Sequence, residues 1–141
     1  MTILEPQGPG VPTPRPSQFS APYWEGCARG ELRFTRCRSC GASLADAPRV
    51  CHRCWSTDLV WQVSGGRGTV YSWTVVWRPQ TPAFVVPYVP AIIELAEGFH
   101  LLSAVIGCRV DEVREGLEVA AEFHPCGDDQ FLPYFRPDDG Q

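Results

Sequence analysis

Two pairs of closely spaced cysteines constrain this chain more than any other feature of its sequence. Each pair has the spacing Cys-x2-Cys, and the ten residues from 41 to 50 separate the pairs. Four thiolates supply the tetrahedral ligand set of a structural Zn²⁺, whereas a catalytic zinc usually keeps one position open for water. We therefore predict one structural zinc ion per chain, bound by Cys37, Cys40, Cys51 and Cys54.

Two disulfides or four free thiols are the alternatives to a metal site. The sequence gives no sign of an oxidising compartment, because the remaining Cys27, Cys108 and Cys126 are scattered singly and the N-terminus lacks the pattern of a secretory signal. Gly41 follows the first pair and permits a tight turn with positive φ. Trp55 follows the second pair, so we expect the two halves of the site to differ.

The composition is that of a small globular protein. With 141 residues, 44% of them apolar, the chain can hold one ordinary domain and a small satellite. It contains no run of about 20 apolar residues, which a membrane-spanning helix needs, and we predict a soluble cytoplasmic protein. All 12 basic residues are arginine. A lysine Schiff base or a lysine general base is therefore excluded.

The first 18 residues form a tail for which the sequence predicts no regular hydrogen-bonded element. It holds five prolines and two glycines. Proline has no backbone N–H to donate, and this composition is typical of a disordered segment. We expect that a partner surface or a neighbouring molecule would be needed to order the tail.

A short helix is predicted over residues 19–30. Ser20 is a suitable N-cap, Pro22 fits the first turn and Gly30 ends the helix. Trp24 and its apolar neighbours give the helix more apolar surface than docking on a small ribbon requires. Trp24 either packs within this chain or is offered to another subunit, and we treat it as a candidate interface residue.

Residues 31–63 predict a rubredoxin-like zinc ribbon. Apolar and polar residues alternate over 31–36, which leads into the cysteines, and again over 59–63, which leaves them. The apolar content of this segment is too small for a core of its own. Metal binding must therefore contribute on the order of 10 kcal/mol to its folding.

Residues 64–137 predict a five-stranded OB-fold barrel, so the chain as a whole is expected to be mainly β. Short runs of β-branched and aromatic residues are separated by glycine turns, with a helical turn at 111–116 between the third and fourth strands. The predicted strands span residues 69–77, 89–95, 101–106, 117–123 and 131–135.

The connection from Arg78 to Tyr88 joins the first two predicted barrel strands and carries apolar side chains among three prolines. In OB folds this connection commonly binds ligands. An apolar, proline-stiffened loop is ordered before binding, which lowers the entropic cost of association. A loop folded back over an open barrel end is the alternative. We treat Phe84, Val86 and Tyr88 as candidate interface residues.

Motifs distributed over about residues 19–137 occur in the order seen in one protein family. They are Trp24-Glu25, Gly30-Glu31-Leu32, the four cysteines, Gly66 to Ser72, Tyr88 to Ala91 with Glu94-Leu95, and Leu132 to Pro137. With these motifs the chain resembles the zinc-ribbon plus OB-fold proteins associated with acyl-CoA metabolism, long described as a domain of unknown function. The glycine-rich strand start together with the cysteines is more specific than the cysteines alone.

The resemblance implies a partner role. Such proteins resemble obligate partners of thiolase-superfamily enzymes. The resemblance implies that the chain stabilises the thiolase-fold subunit, completes its CoA-thioester site or bridges it to a second enzyme. In steroid-degrading bacteria, similar domains pair with lipid-transfer-protein-like thiolase homologues that cleave the side chain by retro-aldol chemistry. There the domain can be fused to a hot-dog-fold hydratase segment, for which this chain has no room. We expect either a stand-alone subunit or an excised domain.

Only the four cysteines carry a definite role over from the family, as zinc ligands, and some members lack them. The sequence itself contains no hydrolase, P-loop or dinucleotide motif. His52, His100 and His124 are not spaced as a cluster. We therefore predict an accessory subunit that is not catalytic alone and that forms a hetero-oligomer with a thiolase-like enzyme acting on an acyl-CoA.

Charge separates this prediction from its rival, a single-stranded nucleic-acid-binding protein. The net charge is −4, lysine is absent, and eleven acids between Glu94 and Asp139 face only three arginines, so phosphate chains would be repelled. A few phosphates, such as those of a shared acyl-CoA, suit the arginines of the first half better. Arg67 and Arg78, which flank the first barrel strand, are the candidates.

Overall fold

The computed structural model describes residues 2–139, which form one α-helix, eight strands and a short 3₁₀ turn. The 3₁₀ turn is Val110–Glu112. The helix α1 is Ala21–Ala28, and the strands are β1 Arg33–Cys37, β2 Ser43–Leu44, β3 Leu59–Val63, β4 Arg67–Trp73, β5 Val89–Leu95, β6 His100–Val105, β7 Glu118–Pro125 and β8 Phe131–Pro137.

The strands form a small ribbon sheet and a closed barrel. In the ribbon, β1 lies between β2 and β3 and is antiparallel to both. The barrel order is β4-β5-β6-β8-β7, closed by antiparallel pairing of β4 with β7. Its other pairs are antiparallel except β6 with β8. The predicted mainly β fold, with a zinc ribbon and a five-stranded OB barrel, is confirmed.

The first barrel strand differs from its prediction. The predicted strand ran to Trp77, whereas β4 ends at Trp73 and the chain then touches its neighbour only through an amide of Thr74 and an isolated bridge from Val76 to Tyr88. One cause is Pro90 of β5, which accepts from the Thr74 amide but has no N–H to return the bond, and the residues before Tyr88 already lie in the loop. The β propensity of residues 74–77 predicts an extended chain, but a strand also needs hydrogen-bonding groups on an adjacent strand.

The hydrophobic core belongs to the barrel, and the ribbon contributes to it. Leu32 and Phe34 enter the main cluster, where the Phe34 ring stacks on Phe99 of the β5–β6 turn at 4.7 Å between centroids. The ribbon itself encloses a second cluster. This small cluster agrees with the expectation that the ribbon has too few apolar residues for a core of its own. The buried members of the ribbon cluster are Cys37, Ala42, Leu44 and Cys51.

The N-terminal tail is held by this chain, so our expectation that another molecule would order it was wrong. Leu4 is 3% exposed, its amide donates to the Cys108 carbonyl at 2.8 Å and its carbonyl accepts from Gly107 at 2.9 Å. Val11 is also buried. Proline prevents regular structure but leaves the residues between free to bond to an adjacent surface.

Helix α1 differs from its prediction in how its first turn is capped. Ser20 occupies the N-cap position, but its side chain makes no capping hydrogen bond and instead accepts from the Ser17 amide. Docking depends on Gly26, because a Cβ there would lie 2.7 Å from Cδ of Arg33. The same arginine donates to the Pro22 carbonyl at 3.0 Å. Among the described residues, no helix is long and apolar enough to cross a bilayer.

Candidate metal centre and partner surface

The four cysteines converge on one point at the tip of the ribbon. Their Sγ atoms all lie within 4.8 Å of one another, with 3.5 Å between Cys37 and Cys54 and 3.7 Å between Cys40 and Cys51. A tetrahedral Zn²⁺ with Zn–S bonds of about 2.3 Å separates its sulfurs by about 3.8 Å. The four residues therefore fit a tetrahedral metal ion.

The two cysteine turns have the same backbone geometry, which corrects our expectation that they differ. The Gly41 amide donates to the Cys37 carbonyl and the Trp55 amide donates to the Cys51 carbonyl, both at 2.8 Å. Gly41 has φ +80° and Trp55 has φ +66°. The second turn is thus closed in the same way as the first, and Trp55 adopts a left-handed conformation that costs an L-residue about 1–2 kcal/mol.

Local amides prepare some of these thiols to ionise. Hydrogen bonds from the backbone of Cys40 and then Ser39 lower the pKa of Cys37 to about 6. Burial opposes ionisation of Cys51, but the amides of Arg53 and Cys54 still lower its pKa. An amide of Ser56 favours ionised Cys54, yet the neighbouring Cys37 raises the pKa of Cys54. Four thiolates this close together repel one another, so all four can be ionised only when they bind a common cation.

Glu97 joins the ribbon to the barrel. Its carboxylate accepts from the Ser64 hydroxyl at 2.7 Å and from the Gly65 amide at 2.8 Å, while its carbonyl accepts from the Ser43 hydroxyl at 2.8 Å. Partial burial acts to raise the pKa of Glu97, but these two donors to the carboxylate outweigh it and lower the pKa. Residue 97 lies in the turn between β5 and β6, where no motif in the sequence marked it as a contact between the two regions.

Two of the candidate interface residues, Trp24 and Tyr88, line one apolar groove of about 330 Å³. The groove lies between α1, the tail, β6 and β8. Phe84 adjoins it, because its ring stacks on Tyr88 at 5.8 Å. Val86 is half-buried in the same loop and does not line the groove. The assignment of these four residues to a partner interface stays a prediction.

The groove also includes residues that sequence reasoning missed. Leu102 is 72% exposed and lies on β6 at its floor, and Glu5 and Gln7 of the tail form one wall. The outward position of Leu102 follows the period-two alternation of β6, but only the fold brings this strand beside the helix and the tail.

The two candidate phosphate-binding arginines are both exposed. Arg67 forms an ion pair with Asp138 at 3.6 Å and lines a hollow that also contains Glu94 and Glu118. Arg78 lies in the loop five residues after β4 ends. Contact of either arginine with CoA stays a prediction, and the acids around Arg67 make its surroundings less favourable for a phosphate.

The histidines do not form a catalytic arrangement with cysteine in the described residues. His124 Nε2 lies 2.7 Å from a Glu122 carboxylate oxygen, and the Cys126 thiol donates to the Pro12 carbonyl instead. His52 and His100 line a shared hollow next to Asp46. The one group of three or more metal-ligating residues found among residues 2–139 is the cysteine quartet.

Comparison with known protein families gives two adjacent matches. Residues 24–60 match the profile described as ChsH2, rubredoxin-like zinc ribbon domain, and residues 61–124 match ChsH2, C-terminal OB-fold domain. Among solved structures, a chain of the Ltp2-ChsH2(DUF35) aldolase superposes with a TM-score of 0.80 and 31% sequence identity, covering 88% of this chain and 98% of that one.

Two curated relatives illustrate the range of proteins that carry these domains. A DUF35 domain-containing scaffold protein of Methanocaldococcus jannaschii is 32% identical over 72% of this chain and 78% of its own length. The 3-oxo-4,17-pregnadiene-20-carboxyl-CoA hydratase alpha subunit of Mycobacterium tuberculosis is 34% identical over 78% of this chain and 35% of its own length. The chain spans less than half the length of the hydratase alpha subunits that it matches.

Proposed function

The chain belongs to the DUF35 family of ChsH2-type zinc-ribbon and OB-fold proteins, and on that premise we propose that it is the non-catalytic partner of a thiolase-superfamily enzyme acting on an acyl-CoA. The enzyme subunit would hold the thioester and the catalytic groups. This chain would stabilise that subunit and help to complete its CoA site.

The observation that carries the proposal is the match over 98% of the DUF35 chain from a protein named as an aldolase complex. Other relatives are named as subunits as well, including a benzoylsuccinyl-CoA thiolase subunit and a CoA-ester hydratase alpha subunit. The names of the aldolase and of the pregnadiene-carboxyl-CoA hydratase favour a retro-aldol cleavage in steroid side-chain degradation as the reaction of the complex.

In this proposal the metal is Zn²⁺ and its role is structural. Four thiolates fill a tetrahedral shell and leave no position for substrate. The chain's own contribution is to place four Sγ atoms within 4.8 Å of one another and to direct amides at them. The ribbon then presents helix α1 and strand β1 to the barrel in a fixed orientation.

Affinity purification of the tagged chain from its native cell extract tests this function. We expect a subunit that mass spectrometry identifies as a thiolase-superfamily protein to co-elute, with about one zinc per chain by elemental analysis. Co-elution of nucleic acid alone would favour the rival OB-fold function, for which the exposed Tyr71 and Trp73 on the barrel are the relevant aromatic side chains. Recovery of this chain alone would contradict the proposal.

Point variants then separate association from folding. Trp24→Ala and Phe84→Asp are expected to reduce co-elution at least tenfold while the melting temperature of the isolated chain changes little, because both side chains retain exposure in this chain. Val63→Asp serves as the matched control, since Val63 is an exposed apolar residue on the ribbon. Undiminished co-elution of both interface variants would place the interface elsewhere.

The shared acyl-CoA is tested on the complex. If Arg67 and Arg78 contact CoA phosphates, Arg→Gln substitution at each position would raise the apparent Kd of the complex for CoA by roughly five- to tenfold per phosphate contact. Dephospho-CoA would show less dependence on whichever arginine meets the 3′-phosphate. Unchanged CoA affinity in both variants would remove these residues from the site.

A further inference from the structure

The apolar groove beside Trp24 is built from several separate parts of the chain. Trp24 comes from α1, Tyr88 from the end of the long loop, Leu102 from β6 and Pro133 from β8, while Gln7 closes one side. Leu102 is 72% exposed, more than any other large apolar side chain of the groove. An exposed aliphatic side chain in a groove that is also lined by aromatic ones is typical of a contact surface for another molecule.

The walls of this groove are fixed by the chain's own hydrogen bonds. The Gln7 amide donates to Tyr134 Oη at 3.1 Å, which attaches the tail to β8. The Gln7 side chain donates to the Val85 carbonyl at 3.1 Å and accepts from the Val85 amide at 2.8 Å, which attaches the tail to the loop. Because tail and loop are already ordered, association with the groove incurs a smaller entropic cost.

The volume of the groove limits what can bind in it. About 330 Å³ is at the lower end of the range for small-molecule pockets, roughly 300–1,000 Å³. This volume suits one or two apolar side chains and is too small for a whole CoA thioester. The tail cannot fill the groove, because Leu4 is buried elsewhere and Gln7 is part of the wall.

Charge narrows the choice of occupant further. Glu5 is the charged residue among those that line the groove. It takes part in no ion pair among the described residues. A carboxylate at the rim of an apolar site favours a cationic group beside the apolar anchor. The acidic second half of the chain adds to this preference.

We propose that this groove seats an apolar side chain of the partner enzyme, taken from a segment in which a lysine or arginine adjacent to that side chain pairs with Glu5. The inference rests on the proposed accessory function and specifies the chemistry of the contact. The apolar side chain packs between Trp24 and Tyr88 over Leu102, and the cation lies at the tail.

Site-specific photo-crosslinking in the full chain, expressed in its native host, tests this contact. p-Benzoylphenylalanine replaces Leu102 in one sample and Val63 in a matched control, and mass spectrometry identifies each crosslinked residue. We expect the Leu102 position to crosslink to an apolar residue next to a lysine or arginine in the thiolase-fold subunit. Glu5→Arg should lower that yield at least fivefold, Glu5→Gln should lower it less, and the Val63 position should give no such product.

The possible results separate this inference from the function on which it rests. If the thiolase-fold subunit co-elutes but the Leu102 position gives no crosslink, or Glu5→Arg leaves the yield unchanged, the groove contact is wrong and the accessory function stands. A crosslink to an apolar and basic segment of a protein of another fold keeps the contact and overturns the thiolase partnership. If no thiolase-fold subunit co-elutes and no crosslink forms, both the groove contact and the accessory function are wrong.

Discussion

The ribbon and the barrel solve the same folding problem by different means. The barrel buries a cluster of sixteen residues, and two of these, Leu32 and Phe34, come from the ribbon side. The ribbon's own cluster has four buried residues, of which Cys37 and Cys51 are two of the proposed metal ligands. The barrel can therefore be stable through apolar burial, whereas we expect the ribbon to need a metal and its attachment to the barrel.

Loss of the metal should have the largest effect on stability, and it should unfold the ribbon while the barrel stays folded. Cys37→Ser, or chelation of zinc, is expected to remove on the order of 10 kcal/mol from the folding of the ribbon. Amide hydrogen exchange should then show loss of protection in β1–β3 and retention in β5 and β6. Cys126→Ser is the matched control, because that buried thiol lies outside the quartet. Native-like protection of β1–β3 without metal would contradict the assignment.

Truncation of the shared aromatic pair should be the next largest effect. Phe99→Ala is expected to lower the free energy of unfolding by about 3–5 kcal/mol, because the ring is buried and stacks on Phe34. Urea denaturation measures the change. The Phe34→Ala, Phe99→Ala double variant should lose less than the sum of the single variants, since each removes the same contact. Full additivity would mean that the two regions are not coupled here.

Replacement of the Glu97 carboxylate should weaken the junction by a smaller amount. Glu97→Gln is expected to lower the free energy of unfolding by about 1–2 kcal/mol at pH 7, because two donors lose a charged acceptor. The pKa of Glu97 is lowered in the folded state. Its contribution is therefore present above the unfolded pKa, about 4.3, and is lost as pH falls through the folded pKa.

Denaturation curves at a series of pH values check this linkage. The difference between Glu97→Gln and the parent protein should be constant from neutral pH down to about 5 and should shrink below the unfolded pKa. Glu115→Gln is a suitable control, because Glu115 is exposed and has no ion pair among those described. A difference that does not depend on pH would show that the carboxylate charge is not what joins the regions.

The two cysteine turns offer the smallest and most direct comparison. Both positions after the cysteine pairs have positive φ, yet one is Gly41 and the other is Trp55. Gly41→Ala should destabilise the ribbon by about 1 kcal/mol, and Trp55→Gly should stabilise it by up to about 1 kcal/mol. Thermal melting of the zinc-loaded protein measures both. Trp55 is 79% exposed, so little packing is lost in the exchange.

The metal centre was largely predictable from sequence because its ligands follow a local spacing. Two Cys-x2-Cys turns impose their own geometry, so the positions of Cys37 and Cys40 relative to each other depend on few other residues. The equal geometry of the second turn was not predictable, since tryptophan does not favour positive φ and Trp55 nevertheless adopts it. The hydrogen bond from the Trp55 amide to the Cys51 carbonyl closes the turn there in spite of the residue's own preference.

The apolar groove was only partly predictable because its residues are far apart in the chain. Trp24 and Tyr88 were singled out as exposed aromatic candidates, but nothing local indicated that they line one groove with Leu102. The tail was misjudged for a related reason. Its proline content indicates irregular backbone, while the hydrogen bonds of Leu4 and Gln7 depend on loops that the fold brings alongside.

Periodicity, turn residues and ligand spacing act over a few neighbouring positions, so the fold class, the order of ribbon and barrel, and the cysteine quartet follow from the amino acids alone. Tertiary contacts set where β4 stops, how the tail is held, that Glu97 joins the two regions and which side chains share the groove. Each of these depends on contacts between residues distant in sequence, and their geometry exists only after the barrel has closed.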